Sequence, residues 1–434
     1  MHSMEPTQLV REAQQDRSAT RTNQAGRASL KVAYIMSRFP KLTETFVLYE
    51  MIAVQREGVQ VETYPLLREK AEVVHPDAVP FVEAAHFQPF FSLPILRAQW
   101  HFLRRKPGEY LRTLWTLLRA NWGSFRFFTG ILGIFPKSVL FAYQMKVEGI
   151  DHVHAHFASH PAAAAFIIHR LAGIPYSFTA HGSDLHRDRH MLREKVAEAA
   201  FVVAISDYNK ELIIEECRGQ FREKVIVIHC GVDTDVFRDR AVLPGNGNQP
   251  FTIICVGTLH EVKGQAYLIE ACANLHKQGL DFVCHLVGDG PDRQSLASLA
   301  EQLGITDKVR FHGQQTREQV AELLQKADVL VAPSVPTSDG RREGIPVVLI
   351  EAMSSGVPVI ASRLSGIPEL VVDEQTGLLT TPRNSMTITK ALERYYHDSA
   401  LRNQLGQAGR QKVAEEFDLY KNAAKLIQHI ASEI

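Results

Sequence analysis

Two glutamates, Glu343 and Glu351, stand eight residues apart at the entry to an apolar segment that we predict to be a helix. Pro346 suits the first helical position, and Gly344 lets the backbone approach a ligand closely. The amides of Gly344 and Ile345 would then be unpaired at a positive helix N-terminus, which favours an anion such as a phosphate. The same spacing also fits a surface glutamate before an ordinary helix.

A second candidate anion site is the glycine-bounded segment 257–264, which follows a predicted strand and opens a predicted helix. Its Lys263 would place a point charge beside a phosphate at a helix N-terminus, whereas an isolated surface lysine would have no such role. Gly288 begins a similar segment, 288–291, after the next strand. This segment resembles half of a dinucleotide fingerprint, but position 293 is Arg rather than Gly, which disfavours an NAD site.

His181 ends a predicted strand, and Asp184 follows it in the same loop. In an open α/β sheet the carboxyl end of a strand faces the ligand crevice, so His181 is a candidate site residue. A buried structural histidine is the alternative.

Two further groups have ligand types that metals use. His152, His154 and His156 alternate along a strand and can therefore share one face. Because the sequence offers them no acidic or cysteine partner at suitable spacing, we favour histidines at a strand end or cleft. The Asp-Thr-Asp at 233–235 reads as a turn or hinge before a linker, so we predict no metal site.

The elements that must position these residues form two series of short apolar strands alternating with helices, which is typical of parallel sheets covered on both faces. We predict an α/β protein of two Rossmann-like, doubly wound domains that face a cleft. The predicted divisions of the chain are a flexible leader at 1–28, an N-terminal domain at 29–238, a linker at 239–250, a C-terminal domain at 251–405, and helices at 406–434 that return to the first domain.

Residues 89–137 differ in composition from the rest of the first domain. They contain all three tryptophans, and arginines recur every seven residues from Arg105 to Arg126. Breaks at Pro107 and Gly123 divide the segment. Amphipathic helices with aromatic residues and a basic stripe suit an anionic membrane surface. The alternative is a helical insertion packed on the sheet, with its arginines in water.

The length, composition and net charge of the chain limit the class of protein. The chain has 434 residues, 45% of them hydrophobic, and a formal net charge of zero, so whole-molecule attraction to nucleic acid is not expected. The five cysteines form no CxxC pair and read as reduced core residues of a cytosolic protein. We see no secretory signal and expect no apolar run long enough to span a bilayer.

Taken in order, the motifs resemble retaining glycosyltransferases of family 4, which have the GT-B fold. The matching features are Ala180-His181-Gly182, Gly231-Val232-Asp233 with Phe237, Val256-Gly257-x-Leu259-x-x-x-Lys263-Gly264, and Glu343-Gly344-Ile345-Pro346 with Glu351. Segments 37–46, 151–158 and 340–346 are similar to exopolysaccharide transferases of the colanic acid and amylovoran type.

The resemblance implies transfer of a sugar from a nucleoside-diphosphate donor, UDP- or GDP-linked, with the anomeric configuration retained. It implies that Glu343 contacts hydroxyls of the donor sugar and that Glu351 contacts those of the ribose. Lys263 and the amides of Gly344 and Ile345 would hold the diphosphate. No cofactor and no metal would be required.

The resemblance also assigns residues beside and opposite the donor. His181 would reach the reacting sugar from the acceptor domain, Asp184 would help position the acceptor, and Gly288 would lie in the donor site. Family members commonly carry Arg where this chain has Thr258, so one diphosphate contact is weaker or is supplied elsewhere. The loop at 37–45 lacks the Gly-Gly pair that often lets backbone meet a phosphate.

These observations predict a glycosyltransferase of exopolysaccharide or other surface polysaccharide biosynthesis, cytoplasmic and peripherally bound to the inner face of the plasma membrane. Its partners would be a nucleotide sugar, a lipid-linked saccharide acceptor and an anionic membrane met through 89–137, and not nucleic acid. A sugar-nucleotide epimerase of similar fold and a non-catalytic nucleotide-sugar-binding module are the alternatives.

Overall fold

A computed structural model of the chain describes residues 30–41, 44–69, 75–186, 189–239 and 250–434. The predicted leader at 1–28 and nearly all of the predicted linker lie outside the described residues.

The first domain is built on a six-stranded sheet in the order β2-β1-β3-β4-β5-β6, in which every neighbouring pair is parallel. Its strands are β1 Lys31–Phe39, β2 Gln60–Arg68, β3 His152–His156, β4 Tyr176–Ala180, β5 Phe201–Ala204 and β6 Val225–Val227. The helices of this domain are Thr45–Arg56, Val79–Ala84, Leu93–Arg105, Pro107–Ala120, Phe125–Glu148, His160–Ala172, Ser183–His186, Leu192–Glu198 and Asp207–Glu216, with 3-10 turns at Pro76–Ala78 and Arg222–Lys224.

The second domain repeats this plan with the parallel order β12-β11-β10-β7-β8-β9. Its strands are β7 Phe251–Val256, β8 Phe282–Val287, β9 Val309–Gly313, β10 Val329–Ala332, β11 Val359–Ser362 and β12 Leu378–Thr380. The helices that follow the linker are Gln265–Lys277, Arg293–Gln302, Arg317–Gln325, Val347–Ser354, Ile367–Leu370, Ser385–His397, Ser399–Glu416 and Leu419–Ser432, with a 3-10 turn at Glu261–Lys263.

Both sheets are covered on both faces. Successive residues of a strand point to opposite sides of the sheet, so one strand can contribute to two apolar cores. On β1, Ala33 and Ile35 join one apolar core while Val32 and Tyr34 join another. The second sheet divides its residues between two cores in the same way. The predicted pair of doubly wound α/β domains is therefore confirmed, and the five cysteines are all free.

The chain returns to the first domain at its last helix, Leu419–Ser432. Leu426 and Ile430 of this helix share a core with Met51 of the first domain. The crossing is fixed by backbone hydrogen bonds on both sides of Val232, from the Val232 amide to the Phe417 carbonyl and from the Leu419 amide to the Val232 carbonyl. The predicted boundary at 405/406 falls inside the Ser399–Glu416 helix, which packs against the Val347–Ser354 helix of the second domain.

The predicted insertion is three consecutive helices, separated near the expected Pro107 and Gly123 breaks. Its third helix continues well past 137 to Glu148, since its second half packs into the domain core. Lys137 is not a surface cation: it is buried and donates to the Leu66 carbonyl over 2.6 Å.

The Phe125–Glu148 helix also corrects an expectation about membrane spans. It is 24 residues long and apolar enough, by length and composition, to cross a bilayer, whereas we expected no such run. Half of its most apolar window is buried inside the domain, as in a core helix of a soluble protein, so length and composition are weak support for a span.

Candidate active site

The two domains enclose a cleft of about 540 Å³, within the size range of small-molecule sites. The cleft contains eight of the nine predicted site residues: His181 from the first domain, and Thr258, Lys263, Gly288, Glu343, Gly344, Ile345 and Glu351 from the second. One edge of the second sheet supplies both Thr258 and Gly288, because Gly257 directly follows β7 and Gly288 directly follows β8.

The Val347–Ser354 helix points its N-terminus into this cleft. Pro346 is its N-cap, with extended backbone (ψ 124°), and not its first helical residue as we predicted. In the described part of the chain, the amides of Gly344 and Ile345 have no hydrogen-bond partner. They can therefore bind an anion at the positive end of the helix.

Gly344 lies at a close approach between the two domains. A Cβ atom on Gly344 would lie 3.0 Å from the His181 carbonyl oxygen, which is tighter than ordinary contact. The absence of a side chain at Gly344 thus lets the backbone of the second domain meet the His181 strand end.

Lys263 and Glu343 form an ion pair, with Lys263 Nζ 2.7 Å from Glu343 Oε2. The Lys263 side chain passes over Gly257, whose φ of +150° and lack of a Cβ leave room for it. A cation, a carboxylate and two unpaired amides thus lie together, which suits a phosphate that carries a hydroxyl-rich substituent.

Gly288 shapes the loop beside this pair. A Cβ atom on Gly288 would lie 2.1 Å from the Gly257 carbonyl oxygen, so these two loops can be adjacent only with glycine at 288. Thr258 is exposed at the cleft, and its carbonyl accepts a hydrogen bond from Gln265 over 3.0 Å.

Glu351 lies deeper in the cleft. Burial raises the pKa of Glu351 to about 7, although the nearby Arg317 partly opposes this rise. Arg317 itself spans the domains: its guanidinium lies 3.9 Å from the ring centroid of Tyr49 and 5.0 Å from that of Phe237. Glu351 is therefore a carboxyl group that can change its protonation when a ligand arrives near neutral pH.

His181 lines the cleft as a neutral imidazole, because burial lowers the pKa of His181 well below its ordinary value. Its Nε2 lies 2.9 Å from His156 Nδ1, and its Nδ1 lies 3.9 Å from Cys230 Sγ. Both ring nitrogens thus face protein groups.

Asp184 is the predicted site residue that lies apart from the cleft lining. Its carboxylate accepts hydrogen bonds from the amides of Ala158 (2.5 Å) and His181 (3.0 Å). These bonds fix the loop that carries His181. The role of Asp184 toward the acceptor stays a prediction.

Sequence reasoning missed Glu50, which lies on the Thr45–Arg56 helix. We found no acidic partner for the alternating histidines, yet Glu50 Oε1 lies 3.1 Å from His156 Nε2 and 3.7 Å from His154 Nε2. The three could hold a metal ion by geometry. Each ring nitrogen of His154 and His156 already has a hydrogen-bond partner, however, including Ser177 and Thr179 for His154.

The Asp-Thr-Asp at 233–235 forms the predicted turn. Asp233 Oδ1 accepts from the Asp235 amide over 2.9 Å, and Asp233 Oδ2 accepts from the Tyr420 hydroxyl over 3.0 Å. This turn is thereby tied to the returning C-terminal helix.

Arg342, which we did not single out, also lines the cleft and brings a second cation near the anion site.

Family models match both halves of the chain. Residues 44–236 match the model "Glycosyltransferase Family 4", and residues 238–412 match "Glycosyl transferases group 1". The division between them coincides with the passage from the first domain to the second.

Similar proteins agree with these matches. A putative colanic acid biosynthesis glycosyltransferase, WcaL of Salmonella typhimurium, is 30% identical over 92% of this chain and all of its own length. The amylovoran biosynthesis glycosyltransferase AmsK of Erwinia amylovora is 32% identical over 58% of this chain and 63% of its own.

Solved structures share the two-domain fold. Anabaena HepE, solved in complex with UDP, has a TM-score of 0.70 at 18% identity and covers 93% of this chain and all of its own. A glycosyltransferase from Rickettsia africae has a TM-score of 0.70 at 17% identity, covering 94% and 99%. The fold, the cleft and the full-length similarity to WcaL lead to one conclusion: this chain belongs to the glycosyltransferases, with a Glycosyltransferase Family 4 domain followed by a group 1 domain.

Proposed function

We propose that the protein transfers a sugar from a nucleoside-diphosphate sugar to a lipid-linked saccharide, with retention of anomeric configuration, in exopolysaccharide biosynthesis. The acceptor would carry its saccharide on a polyprenyl diphosphate. The names of WcaL and AmsK, which refer to colanic acid and amylovoran biosynthesis, support the polysaccharide product.

The observation that carries the donor assignment is the Lys263–Glu343 pair beside the unpaired amides of Gly344 and Ile345. Lys263 and the amides would bind the diphosphate, and Glu343 would accept hydrogen bonds from sugar hydroxyls. Anabaena HepE was solved with UDP and with UDP-glucose in a similar fold, which supports a uridine or related donor.

Retention is supported by the state of His181. A neutral imidazole whose nitrogens face His156 and Cys230 is poorly placed to take the proton of an acceptor hydroxyl. In same-face attack the leaving phosphate draws that proton, and the protein supplies orientation and electrostatic stabilisation. The cleft therefore fits this route without a protein base, and no metal is needed in the proposal.

The outer face of the helical insertion supports a membrane-borne acceptor. Trp100, Trp115 and Trp122 are 66%, 67% and 78% exposed, and Phe125 is 85% exposed. Interfacial aromatic residues beside exposed arginines are typical of helices that lie on anionic lipid. The protein would thus work at the inner face of the plasma membrane, as a peripheral rather than a spanning protein.

The test begins with thermal-shift screening against UDP- and GDP-sugars, followed by transfer to membrane lipid extract. We expect a stabilising donor and a lipid product whose new linkage keeps the anomeric configuration of the donor, read by NMR coupling constants. An inverted linkage would contradict the proposed retention.

Variants connect the activity to the cleft. Glu343→Ala and His181→Ala should each lower transfer by orders of magnitude without lowering the melting temperature by more than a few degrees, because both residues line the cleft. Wild-type transfer in either variant would remove its assigned role. Turnover of a nucleotide sugar without lipid would indicate an epimerase, and donor binding with no transfer to any acceptor would indicate a binding module.

A further inference from the structure

A row of buried side chains in hydrogen-bond contact runs from Glu50 through His156 to His181. The role inferred for this row rests on the function proposed for the His181 site. The His181 ring is enclosed by three other rings, with centroids 4.6 Å away for Phe46, 4.8 Å for Phe157 and 5.2 Å for His156. Only His156 among these offers a strong hydrogen bond, at 2.9 Å. The orientation of His181 therefore depends on His156.

His156 is in turn held by Glu50. Its side chain has no exposed surface, and its Nε2 lies 3.1 Å from Glu50 Oε1. The hydroxyl of Tyr34 donates to the same carboxylate oxygen over 3.1 Å. Burial alone would raise the pKa of Glu50, but hydrogen bonding to its carboxylate oxygen favours the ionised form, and the pKa of Glu50 lies below its ordinary value. Glu50 is thus a carboxylate at neutral pH.

An ionised carboxylate only accepts hydrogen bonds, so His156 Nε2 must be the donor to Glu50. A His156 ring with one proton then presents the lone pair of Nδ1 to His181. His181 must therefore carry its proton on Nε2 and donate it to His156. The unprotonated Nδ1 of His181 then faces the Cys230 thiol, a weak donor. The negative charge on Glu50 therefore decides which nitrogen of His156, and then which nitrogen of His181, carries the proton.

We propose that Glu50 and His156 are positioning residues, which hold His181 in one orientation and in the Nε2-protonated tautomer for sugar transfer. In the described part of the chain, neither residue belongs to the cleft lining. Their loss should therefore lower kcat by about 10- to 100-fold, as for orienting partners of other functional histidines, with little change in donor KM.

Substitutions of His156 can keep one of its two hydrogen bonds, to His181 or to Glu50, while removing the other. In His156→Asn the amide oxygen can take the place of Nδ1 and still accept from His181. In His156→Gln the amide reaches the position of Nε2, beside Glu50, and leaves His181 without its partner. We expect His156→Asn to keep a larger share of kcat than His156→Gln, and Glu50→Gln to lie between the wild type and His156→Gln.

The matched control is His152→Phe. His152 lies on the same strand, is equally buried, and bonds Ser177 over 2.7 Å rather than His181. Calorimetric titration with UDP and with GDP should give unchanged affinities in all four variants, which shows that the fold and the donor site are intact.

The deciding measurement is the tautomer of His181 in the unliganded protein, read from its 13Cδ2 chemical shift in [13C]histidine-labelled protein and assigned by loss of the signal in His181→Asn. We expect the Nε2-protonated form in the wild type and in His152→Phe, and a shifted signal in Glu50→Gln and His156→Gln. An Nδ1-protonated wild type, or an unchanged signal with wild-type kcat in His156→Gln, would overturn the proposal. Because this readout needs no transfer, it stands even if the proposed donor or acceptor is wrong.

Discussion

At the scale of single residues, the cleft combines groups whose charges depend on one another. Lys263 pairs with Glu343, and the nearby amides of Gly344 and Ile345 have no partner among the described residues, so the proposed donor diphosphate would share the cation with the glutamate. Both glutamates are half-buried, but Glu343 is paired with Lys263, whereas desolvation raises the pKa of Glu351 to about 7. The two carboxyl groups of the motif thus have different electrostatic states before the donor binds.

Glu351 gives a prediction about stability and pH. Its pKa rises from 4.5 to about 7 in the folded protein, so the folded state holds this proton more tightly than the unfolded state. The contribution of Glu351 to stability is therefore most favourable below about pH 4.5 and falls as the pH rises to about 7, by on the order of 3 kcal/mol. Glu351→Gln should raise the melting temperature at pH 8 and leave it nearly unchanged at pH 4.5.

The same substitution should weaken nucleotide binding. Ribose hydroxyls donating to Glu351 would favour its ionised form, so binding should release a proton near pH 7. Calorimetry of UDP or GDP in buffers of different ionisation enthalpy measures this release, which Glu351→Gln should abolish. A variant that is no more stable than the wild type at pH 8 would contradict the burial argument.

Eight of the nine predicted residues line the cleft, and they could be placed there because their signals are local. Gly344, Pro346 and Lys263 follow strands or open helices, and chain order alone brings such positions to one sheet edge. Glu50 was not predictable, because it meets His156 only through the packing of a helix on a strand over 100 residues away. Asp184 lies in the short Ser183–His186 helix rather than in the predicted loop, and no local pattern tells a side chain that caps backbone amides from one that faces a ligand.

At the scale of elements, all twelve strands and the long helices were predictable from apolar runs and helix-ending residues. The helices at Val79–Ala84, Ser183–His186, Leu192–Glu198 and Ile367–Leu370 were missed, since four to seven residues give too little periodicity. The end of the insertion was also misplaced, because the Phe125–Glu148 helix passes from surface to core without a break in its apolar pattern.

The insertion predicts a measurable affinity for lipid. Arg112, Arg119 and Arg126 are exposed and lie beside exposed aromatic residues. Each basic residue near an anionic surface contributes about 1 kcal/mol, so changing the three to Glu should lower binding by more than about 100-fold. The measurement is co-sedimentation with vesicles of phosphatidylglycerol and phosphatidylcholine in equal parts.

A charge-matched control removes the effect of net charge. Lys277, Arg293 and Arg310 are exposed in the second domain, and changing them to Glu alters the total charge equally. We expect this control to sediment with vesicles nearly as the wild type does. Equal binding by the two triple variants would place the membrane contact elsewhere or remove it.

At the scale of the whole molecule, the site exists only where the two domains meet. The His181 carbonyl approaches Gly344, and Arg317 of the second domain stacks on Tyr49 of the first. No sequence pattern predicts this closed arrangement, because it depends on contacts between surfaces that are far apart in the chain. The returning C-terminal helix adds a second connection and limits how far the domains can separate.

One interdomain contact is well suited to hold the cleft closed. Glu369, on the Ile367–Leu370 helix, accepts hydrogen bonds from the amides of Asp207 (2.7 Å) and Tyr208 (2.8 Å) at the start of a helix in the first domain. A carboxylate at a helix N-terminus contributes on the order of 1 kcal/mol. Glu369→Ala should therefore shift the molecule toward an open form.

We expect Glu369→Ala to increase the radius of gyration measured by small-angle X-ray scattering and to lower kcat/KM for transfer by about five- to tenfold, since about 1.4 kcal/mol corresponds to a factor of ten. Affinity for UDP or GDP should change little, because the anion site lies within the second domain. Glu374→Ala is the matched control: its carboxylate makes two hydrogen bonds to Arg394, but within one domain. Identical scattering and transfer in the two variants would show that closure does not depend on Glu369. A loss confined to Glu369→Ala would show that this helix end in the first domain helps assemble a cleft whose Lys263–Glu343 pair belongs to the other domain.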